Sequence, residues 1–582
     1  MERKQDIILH GIPASPGIII GNAYVFAKQA PRVEDKSIAA ADVQQELDRL
    51  QHAVGRSEKE LQKVLQLTEQ KVGSQKAKIF EAQIMILSDV VLFGSIRKRI
   101  QQELKSAEYA VHREISKYQQ VMMNSSDEYM RERAHDVEDV KNRIIRNIQQ
   151  EKLISRFDTS SIVVSEILTP ADTILFSRNE VLAYATDMGG ITSHAALLSR
   201  SLNIPSVVGL KEITKLVQTG DLIVVDGYTG NVVINPSEEM IARCNERKQE
   251  HEQFDTRLKD IRHLNAQTQD GKIVNLTCNI EFSEEALNVH AQGSNGIGLY
   301  RTEGLFLRTE NYPSEEEQFA EYKLVVEKAT PHKVVMRALD IGGDKVVSSS
   351  ANEENPFLGW RGIRVLLDMP EVFLTQLRAM LRASAFGPVW IMLPMISGVK
   401  EIRRAKEYLE TAKQELRNKN VPFDENIKIG AMIEVPSAAV IAGEIAQEVD
   451  FLSIGTNDLI QYLLAVDRGN EVVSSLYQEF HPAVIKTIRY IIIEAHRAGK
   501  PVSMCGEMAG DPIAILLLLG LGLDEFSMIP YILPEVKKII RSVSFAEAEE
   551  IAHKVMEMKT EDDIKDFLRV NLHSMVPELL LE

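Results

Sequence analysis

The stretch IKIGAMIEVPSAAVIAGEIAQEVDFLSIGTND, residues 427–458, sets the reading of the C-terminal half. Two short apolar runs, IKIGAMIE (427–434) and DFLSIGTND (450–458), flank a helical pattern. Runs of that length between helical segments read as buried strands of β-then-α units. The texture recurs in KIVNLTCNI (272–280), GIGLYRTE (296–303), KVVMRALD (333–340), VWIMLPMI (389–396), PVSMCGE (501–507) and DEFSMI (524–529). Eight such units over roughly 300 residues predict a (β/α)8 barrel of TIM type, with a doubly wound sheet as the rival. Barrel active sites lie at the C-terminal ends of the strands. Several runs end there in polar groups: Arg301, Arg337, Glu434, Asn457, Asp458 and Cys505.

Upstream the texture differs. Residues 1–30 contain GIPASPGIIIGNAYVF, β-branched runs punctuated by Pro and Gly. Residues 35–150 are rich in Glu, Gln, Lys, Ala and Leu, with apolar positions at helical spacing such as Leu47, Leu50, Val54 and Leu61. They predict long amphipathic helices in two hairpins, a bundle rather than a coiled coil because no heptad is sustained. Strand texture returns in SIVVSEIL (161–168), EVLAYATDMGG (180–190), IPSVVG (204–209) and DLIVVDGYTGNVVINP (221–236). Neither strand set is large enough for its own core. One α/β domain from 1–30 and 149–237 is therefore expected, with the helical bundle (31–148) inserted in it. The charged segment 238–265 reads as a linker helix, or as an ordinary surface helix, before a barrel at 266–582.

Among 582 residues, 67 are basic and 84 acidic, a net charge of −17 that argues against nucleic-acid binding and suits a basic protein partner. Three cysteines, Cys244, Cys278 and Cys505, build no disulfide framework and suit a reducing compartment. The N-terminus lacks the apolar core of a secretory signal, and the longest apolar stretch, Ile513–Leu523, is too short to span a bilayer. A cytoplasmic location without membrane insertion is expected.

In TDMGGITSHAALLSRSLNIPSVVG (186–209), Gly189 and Gly190 precede Thr192, Ser193 and His194 at the start of an amphipathic helix. Thr or Ser there caps a helix. His194 then falls in the first turn, where backbone N–H groups favour phosphate and disfavour imidazolium, leaving a neutral nucleophilic ring. The glycines admit close approach of another molecule. In the barrel half, Arg301, Arg337, Lys345, Arg361, Arg364 and Arg468 are cations near strand ends, suited to carboxylate and phosphate oxygens. Glu434 and Asp458 are hard oxygen ligands for Mg²⁺. Together they suit a phosphorylated carboxylate. Cys505, in VSMCGEMAGDP, is a candidate proton donor or acceptor, against the ordinary fate of a free cysteine as a small buried hydrophobe.

These residues sit in blocks that run in order along the chain. They are GIPASPGIIIG (11–21), DEYMRERAHDVEDV (127–140), the 186–209 segment, GIGLYRTE, LDIGGDK (339–345), ENPFLGWRGIR (354–364), IEVPSAA (433–439), SIGTNDLIQYLLAVDRGN (453–470), MCGEMAGDP (504–512) and LGLDEFSM (521–528). The chain resembles the Enzyme I family of the bacterial phosphotransferase system, the phosphoenolpyruvate–protein phosphotransferases. The resemblance implies that phosphoenolpyruvate binds the barrel with Mg²⁺ and phosphorylates His194 on Nε2. It implies that the group then passes to the histidine phosphocarrier protein HPr, which docks on the inserted bundle. Arg301, Arg337, Asn457 and Arg468 match substrate-binding residues, Glu434 and Asp458 the metal ligands, and Cys505 the residue that protonates the enol. Thr169 matches a threonine that accepts a hydrogen bond from the active imidazole. The family dimerises through the barrel.

Four places depart from the family pattern: Ile191 for Arg, Gly304 for Phe, Ile460 for Thr, and Phe480–His481 for Met-Ser. Ile191 bears on how the active-histidine loop is held, and Gly304 on the loop after Arg301. The 453–470 block also resembles the related barrels of pyruvate phosphate dikinase and phosphoenolpyruvate synthase, but no ATP-grasp domain is expected in the chain, which argues against both. Two other readings stand beside the main one: a paralogue serving a nitrogen-regulatory carrier, and a non-catalytic scaffold that binds HPr.

Overall fold

The computed structural model describes the chain apart from residues 1–5, 27–32, 73, 124–127, 150–159, 178–180, 191–192, 307–311, 343–354, 469, 471, 578 and 580–582. It divides into two compact units, residues 1–252 and 253–581.

The first unit is built on an eight-stranded mixed sheet. Its strands are β1 (Ile7–His10), β2 (Ile12–Ser15), β3 (Ile18–Phe26), β4 (Ile162–Ser165), β5 (Ala183–Thr186), β6 (Ser206–Val208), β7 (Leu222–Asp226) and β8 (Asn231–Ile234). They lie in the order β1-β8-β7-β3-β4-β5-β6-β2. β3 and β4 pair in parallel, Ala23 opposite Ile162, although more than a hundred residues separate them. Those residues form the insertion. Its helices are Val43–Val72, Ser74–Leu87, Val90–Glu103, Ala107–Met123 and Glu128–Gln149. The two expected hairpins are Val43–Val72 with Ser74–Leu87 and Ala107–Met123 with Glu128–Gln149, and a further helix, Val90–Glu103, lies between them in the chain. Asp89 supplies one of the breaks, capping the third helix by accepting the N–H groups of Val91 and Leu92. The apolar period continues across that break, so spacing alone does not reveal it.

The bundle core, with Leu61, Phe80, Ile96, Ile100, Val111, Ile115 and Ile144, also takes in Ala171, Ile174 and Leu198. Those last residues belong to helices Pro170–Phe176 and His194–Ser201, which follow β4 and β5. The insertion therefore packs directly on the helix that begins at His194.

In the second unit all eight expected runs are strands: β9 (Asn275–Ile280), β10 (Gly296–Arg301), β11 (Lys333–Arg337), β12 (Val389–Leu393), β13 (Lys428–Ile433), β14 (Phe451–Ile454), β15 (Val502–Met504) and β16 (Glu525–Met528). Each pairs in parallel with the next, and β16 closes on β9. Leu299, Val335, Met392, Met432, Phe451 and Cys505 fill the barrel interior. This layered filling makes the barrel a packed core open to chemistry only at its ends. The apolar run at Ile513 forms a helix, Pro512–Gly520, whose Ala514–Leu519 are buried. Among the described residues no helix is long and apolar enough to cross a membrane.

The sequence departures fit this frame. Gly304 lies in the short helix Glu303–Phe306, where a Cβ would come within 3.2 Å of the Glu281 oxygen. It allows close packing there, in place of the looser loop expected. Ile460 and Phe480 are buried, and His481 caps helix Pro482–Arg497, its Nδ1 accepting from the Ala483 N–H at 3.1 Å. Ile191 lies outside the described residues.

Candidate active site

Strand register brings the polar run-ends together at one end of the barrel. Arg301 and Arg337 are paired neighbours at the ends of β10 and β11. Glu434 directly follows β13, Asn457 and Asp458 open the helix after β14, and Cys505 directly follows β15. The charges there interlock. Arg361 forks onto Asp340 through Nε and Nη2, both at 3.0 Å, and reaches Asp458 through Nη2 at 2.9 Å. Arg337 lies 3.1 Å from Asp340 and 3.2 Å from Glu303. Asp340, its carboxylate 1% exposed, is the hub. Glu434 accepts the Met395 N–H at 2.6 Å. Asn457 donates to Glu507 at 3.0 Å and accepts from its N–H at 2.9 Å. Arg468, exposed, reaches the same Glu507 at 3.4 Å, and Arg301 pairs with Glu281.

The Ser453 hydroxyl donates to Cys505 Sγ at 3.3 Å. Arg364 does not join this network. Its Nη1 donates to the carbonyls of Leu358 and Gly359, holding the loop that carries Arg361. Lys345 and Thr192 lie outside the described residues. The sequence reading missed Asp340, Glu303, Glu507 and Ser453. Asp340 closes the run KVVMRALD, the one signal that marked it.

In the first unit, His194 is the first residue of helix His194–Ser201, and Ser193 is its N-cap, accepting the Ala196 N–H at 3.3 Å. Gly189 holds φ +120°, open to glycine and strained for other residues; Gly190 has open space where a Cβ would stand. Arg200, in the last turn, donates to the Ala14 carbonyl at 2.9 Å and ties the helix to β2. Thr169 precedes the helix after the adjacent parallel strand. Its hydroxyl donates to Asp172 Oδ2 at 2.7 Å.

Known proteins share this arrangement of sequence. The profiles described as PEP-utilising enzyme match in three segments: the N-terminal domain at residues 10–133, the mobile domain at 157–230 and the PEP-binding domain at 255–545. A phosphoenolpyruvate-protein phosphotransferase of Bacillus sp. (strain S) is 42% identical over 568 residues, 96% of this chain and 97% of that protein. The protein of that name from Staphylococcus carnosus is 41% identical, over 96% of this chain and 98% of its own length. The one from Haemophilus influenzae is 41% identical over 99% of both chains. The chain belongs to the phosphoenolpyruvate-protein phosphotransferase family.

For a phosphotransferase of this family, the electrostatics of the barrel mouth are informative. Burial works against the Arg337 charge, but Glu303, Asp340 and Glu434 outweigh it and raise its pKa. Burial likewise opposes the Asp340 carboxylate, and Arg337 and Arg361 outweigh it, keeping it ionised. Glu434 goes the other way: burial, then Asp458 and Asp340, push it up to about 8. Burial raises the Cys505 thiol, partly opposed by the Ser453 hydrogen bond, so it carries its proton at neutral pH. Arg337 Nε and Thr456 Oγ1 are buried without a hydrogen-bond partner. Unsatisfied buried polar atoms are rare, and a ligand is one ordinary explanation.

The donor set fits Mg²⁺. Among the described residues no group of three or more metal-ligating side chains occurs. Mg²⁺, however, commonly takes one or two carboxylates and completes its shell with substrate phosphate oxygens and water. A divalent cation beside Glu434 and Asp458 would offset the burial, and the repulsion second to it, that raise Glu434.

Proposed function

We propose that this chain takes the phosphoryl group of phosphoenolpyruvate onto His194, releases pyruvate, and passes the group to a histidine of the carrier HPr. The reading rests most on the buried network Arg337–Asp340–Arg361–Asp458 at the barrel mouth. A set of guanidiniums fixed by buried carboxylates is prearranged for an anionic substrate, and such prearrangement costs no reorganisation during reaction. Arg301, Arg337 and Arg468 bind and orient the substrate carboxylate and phosphate, with the Asn457 amide on the phosphate. Arg361 is held in reach of the same anion by Asp340. Mg²⁺, held by Glu434 and Asp458, supplies charge neutralisation for the transferring phosphoryl group.

The ester P–O bond breaks as an imidazole nitrogen of His194 forms a bond to phosphorus. The Cys505 Sγ–H proton passes to the methylene carbon of the enolate, giving pyruvate. The Ser453 hydroxyl remains on the sulfur and stabilises the thiolate left in a buried site. Ser193 and the helix start at His194 place backbone N–H groups where the phosphohistidine needs them. His194 and the barrel belong to different compact units, so the first transfer carries the phosphoryl group from one unit to the other. The inserted bundle is the proposed HPr dock, since its core is shared with the His194 helix. Homodimerisation through the barrel rests on the family resemblance.

The test is stoichiometric. With Mg²⁺, phosphoenolpyruvate and no acceptor, the protein should release about one pyruvate per chain and stop; adding HPr in excess should restart release until about one pyruvate per HPr has formed. Continuous pyruvate formation without HPr, or none with it, would contradict the reading.

A further inference from the structure

Lys537 is buried on helix Leu533–Ser542, which follows β16. Its ammonium donates to the carbonyl of Arg262 at 2.6 Å and to that of Gly293 at 2.8 Å. Both partners are main-chain carbonyls, not a carboxylate. Arg262 lies one residue beyond helix Glu238–Ile261. There the last carbonyls lack intrahelical donors and the helix dipole favours a cation. Gly293 closes a turn with φ 73°, and a Cβ there would lie 1.8 Å from the Arg262 oxygen. Three segments thus meet on one ammonium.

Further bonds extend the joint. Arg541, one turn along, donates to the Asn265 carbonyl at 2.8 Å, and the Gln269 amide donates to the Ser542 carbonyl at 2.8 Å. Burial, with Arg541 nearby, pulls the Lys537 pKa down to about 8. A buried charge with only dipolar partners is an expensive way to fill space, since an apolar side chain fills it without that cost. What the ammonium adds is direction. Midway along the same helix, Arg247 pairs with Asp226 at 2.7 Å and His251 stacks on Tyr228 at 3.8 Å, both within the first unit.

We propose that Lys537 is a positioning residue that, with Phe254 packed on the barrel core, mounts the end of the linker helix on the barrel and fixes the direction in which that helix leaves it. It acts on the transfer between units and not on the chemistry within either. The inference rests on the two-unit transfer proposed above.

The experiment uses the full chain carrying Lys537→Met, Lys537→Arg or Gly293→Ala. Three reactions are measured. They are equilibrium binding of phosphoenolpyruvate with Mg²⁺, labelling of His194 from ³²P-phosphoenolpyruvate, and back-labelling of His194 from phosphorylated HPr, which needs no barrel. For Lys537→Met, binding and back-labelling should stay within about twofold of wild type, while labelling from phosphoenolpyruvate slows about tenfold or more. Lys537→Arg should restore most of that rate. Gly293→Ala should reproduce the defect with the lysine intact. Wild-type labelling from phosphoenolpyruvate in Lys537→Met would overturn the proposal. So would equal loss of all three reactions, the mark of a general folding defect. A wild-type chain that binds phosphoenolpyruvate yet never labels His194 would remove the functional reading, and this inference with it.

Discussion

At the barrel mouth, Arg337, Arg361, Asp340 and Asp458 lock one another in buried ion pairs, whereas the segment around His194 is set by a glycine at positive φ and a single serine cap. The first arrangement is stiff because Arg337, Arg361 and Asp340 are each held by two partners. Removing one partner strands the others in a poorly solvated place. The second is set by backbone geometry and leaves its helix start with N–H groups free for an incoming anion. A site that must grip a small anion is built from compensated charge. On the proposed reading, a site that receives a phosphoryl group and gives it away is built from dipoles and little else.

Four experiments can break or sharpen that contrast. Arg337→Met should strand Glu303 and Asp340, costing about 3–5 kcal/mol of barrel stability in urea unfolding and abolishing labelling from phosphoenolpyruvate. A stable, active variant would mean the network is not prearranged as described. Cys505→Ser should lower pyruvate formation about 10²–10⁴-fold, the range for loss of a general acid, with little change in the unfolding midpoint.

Glu479 supplies a test by pH. Burial, then Asp511 and Glu507, push it up to about 7. In the unfolded chain it titrates near 4.3, so the folded state holds an extra proton between those values. Stability from this group is therefore present at low pH and lost as pH rises through that window. Glu479→Gln removes the loss: it should be about 3 kcal/mol more stable than wild type at pH 8, with the two equal near pH 4. Parallel curves at both pH values would show that the barrel does not hold this carboxyl protonated. The smallest effects belong to the His194 segment. Gly189→Ala should cost about 1–2 kcal/mol through its backbone conformation, and Ser193→Ala about 1 kcal/mol through the lost cap. Both should slow His194 labelling while leaving phosphoenolpyruvate binding at wild-type strength. Weakened binding would mean the two sites are not separable in this way.

The contrast also explains what the sequence displays. Glu434, Asp458, Arg337 and Cys505 were legible because a period of short apolar runs fixes where strands end. A polar residue at a strand end then has one place to go. The helix start at His194 was legible because Ser before an amphipathic run caps it. Counter-ions were not legible. Asp340 and Glu303 show their charge in the sequence but not their partners, which arrive from other strands and loops. Arg361 and Arg364 look alike at three residues' spacing. Yet one enters the ion network and the other turns to the Leu358 and Gly359 carbonyls, because Arg361 precedes helix Ile363–Asp368 in a segment paired with Gly342, whereas Arg364 lies in the first turn of that helix. The extra helix breaks of the insertion were hidden for a related reason. A cap such as Asp89 acts through backbone N–H groups and leaves the apolar spacing unchanged.

The measurement that tests the account most directly is labelling with ³²P-phosphoenolpyruvate and Mg²⁺, comparing wild type with His194→Ala. Acid-labile, alkali-stable label on wild type and none on His194→Ala is the predicted result. Equal labelling of His194→Ala, or a wild type that binds phosphoenolpyruvate and takes no label, would contradict it.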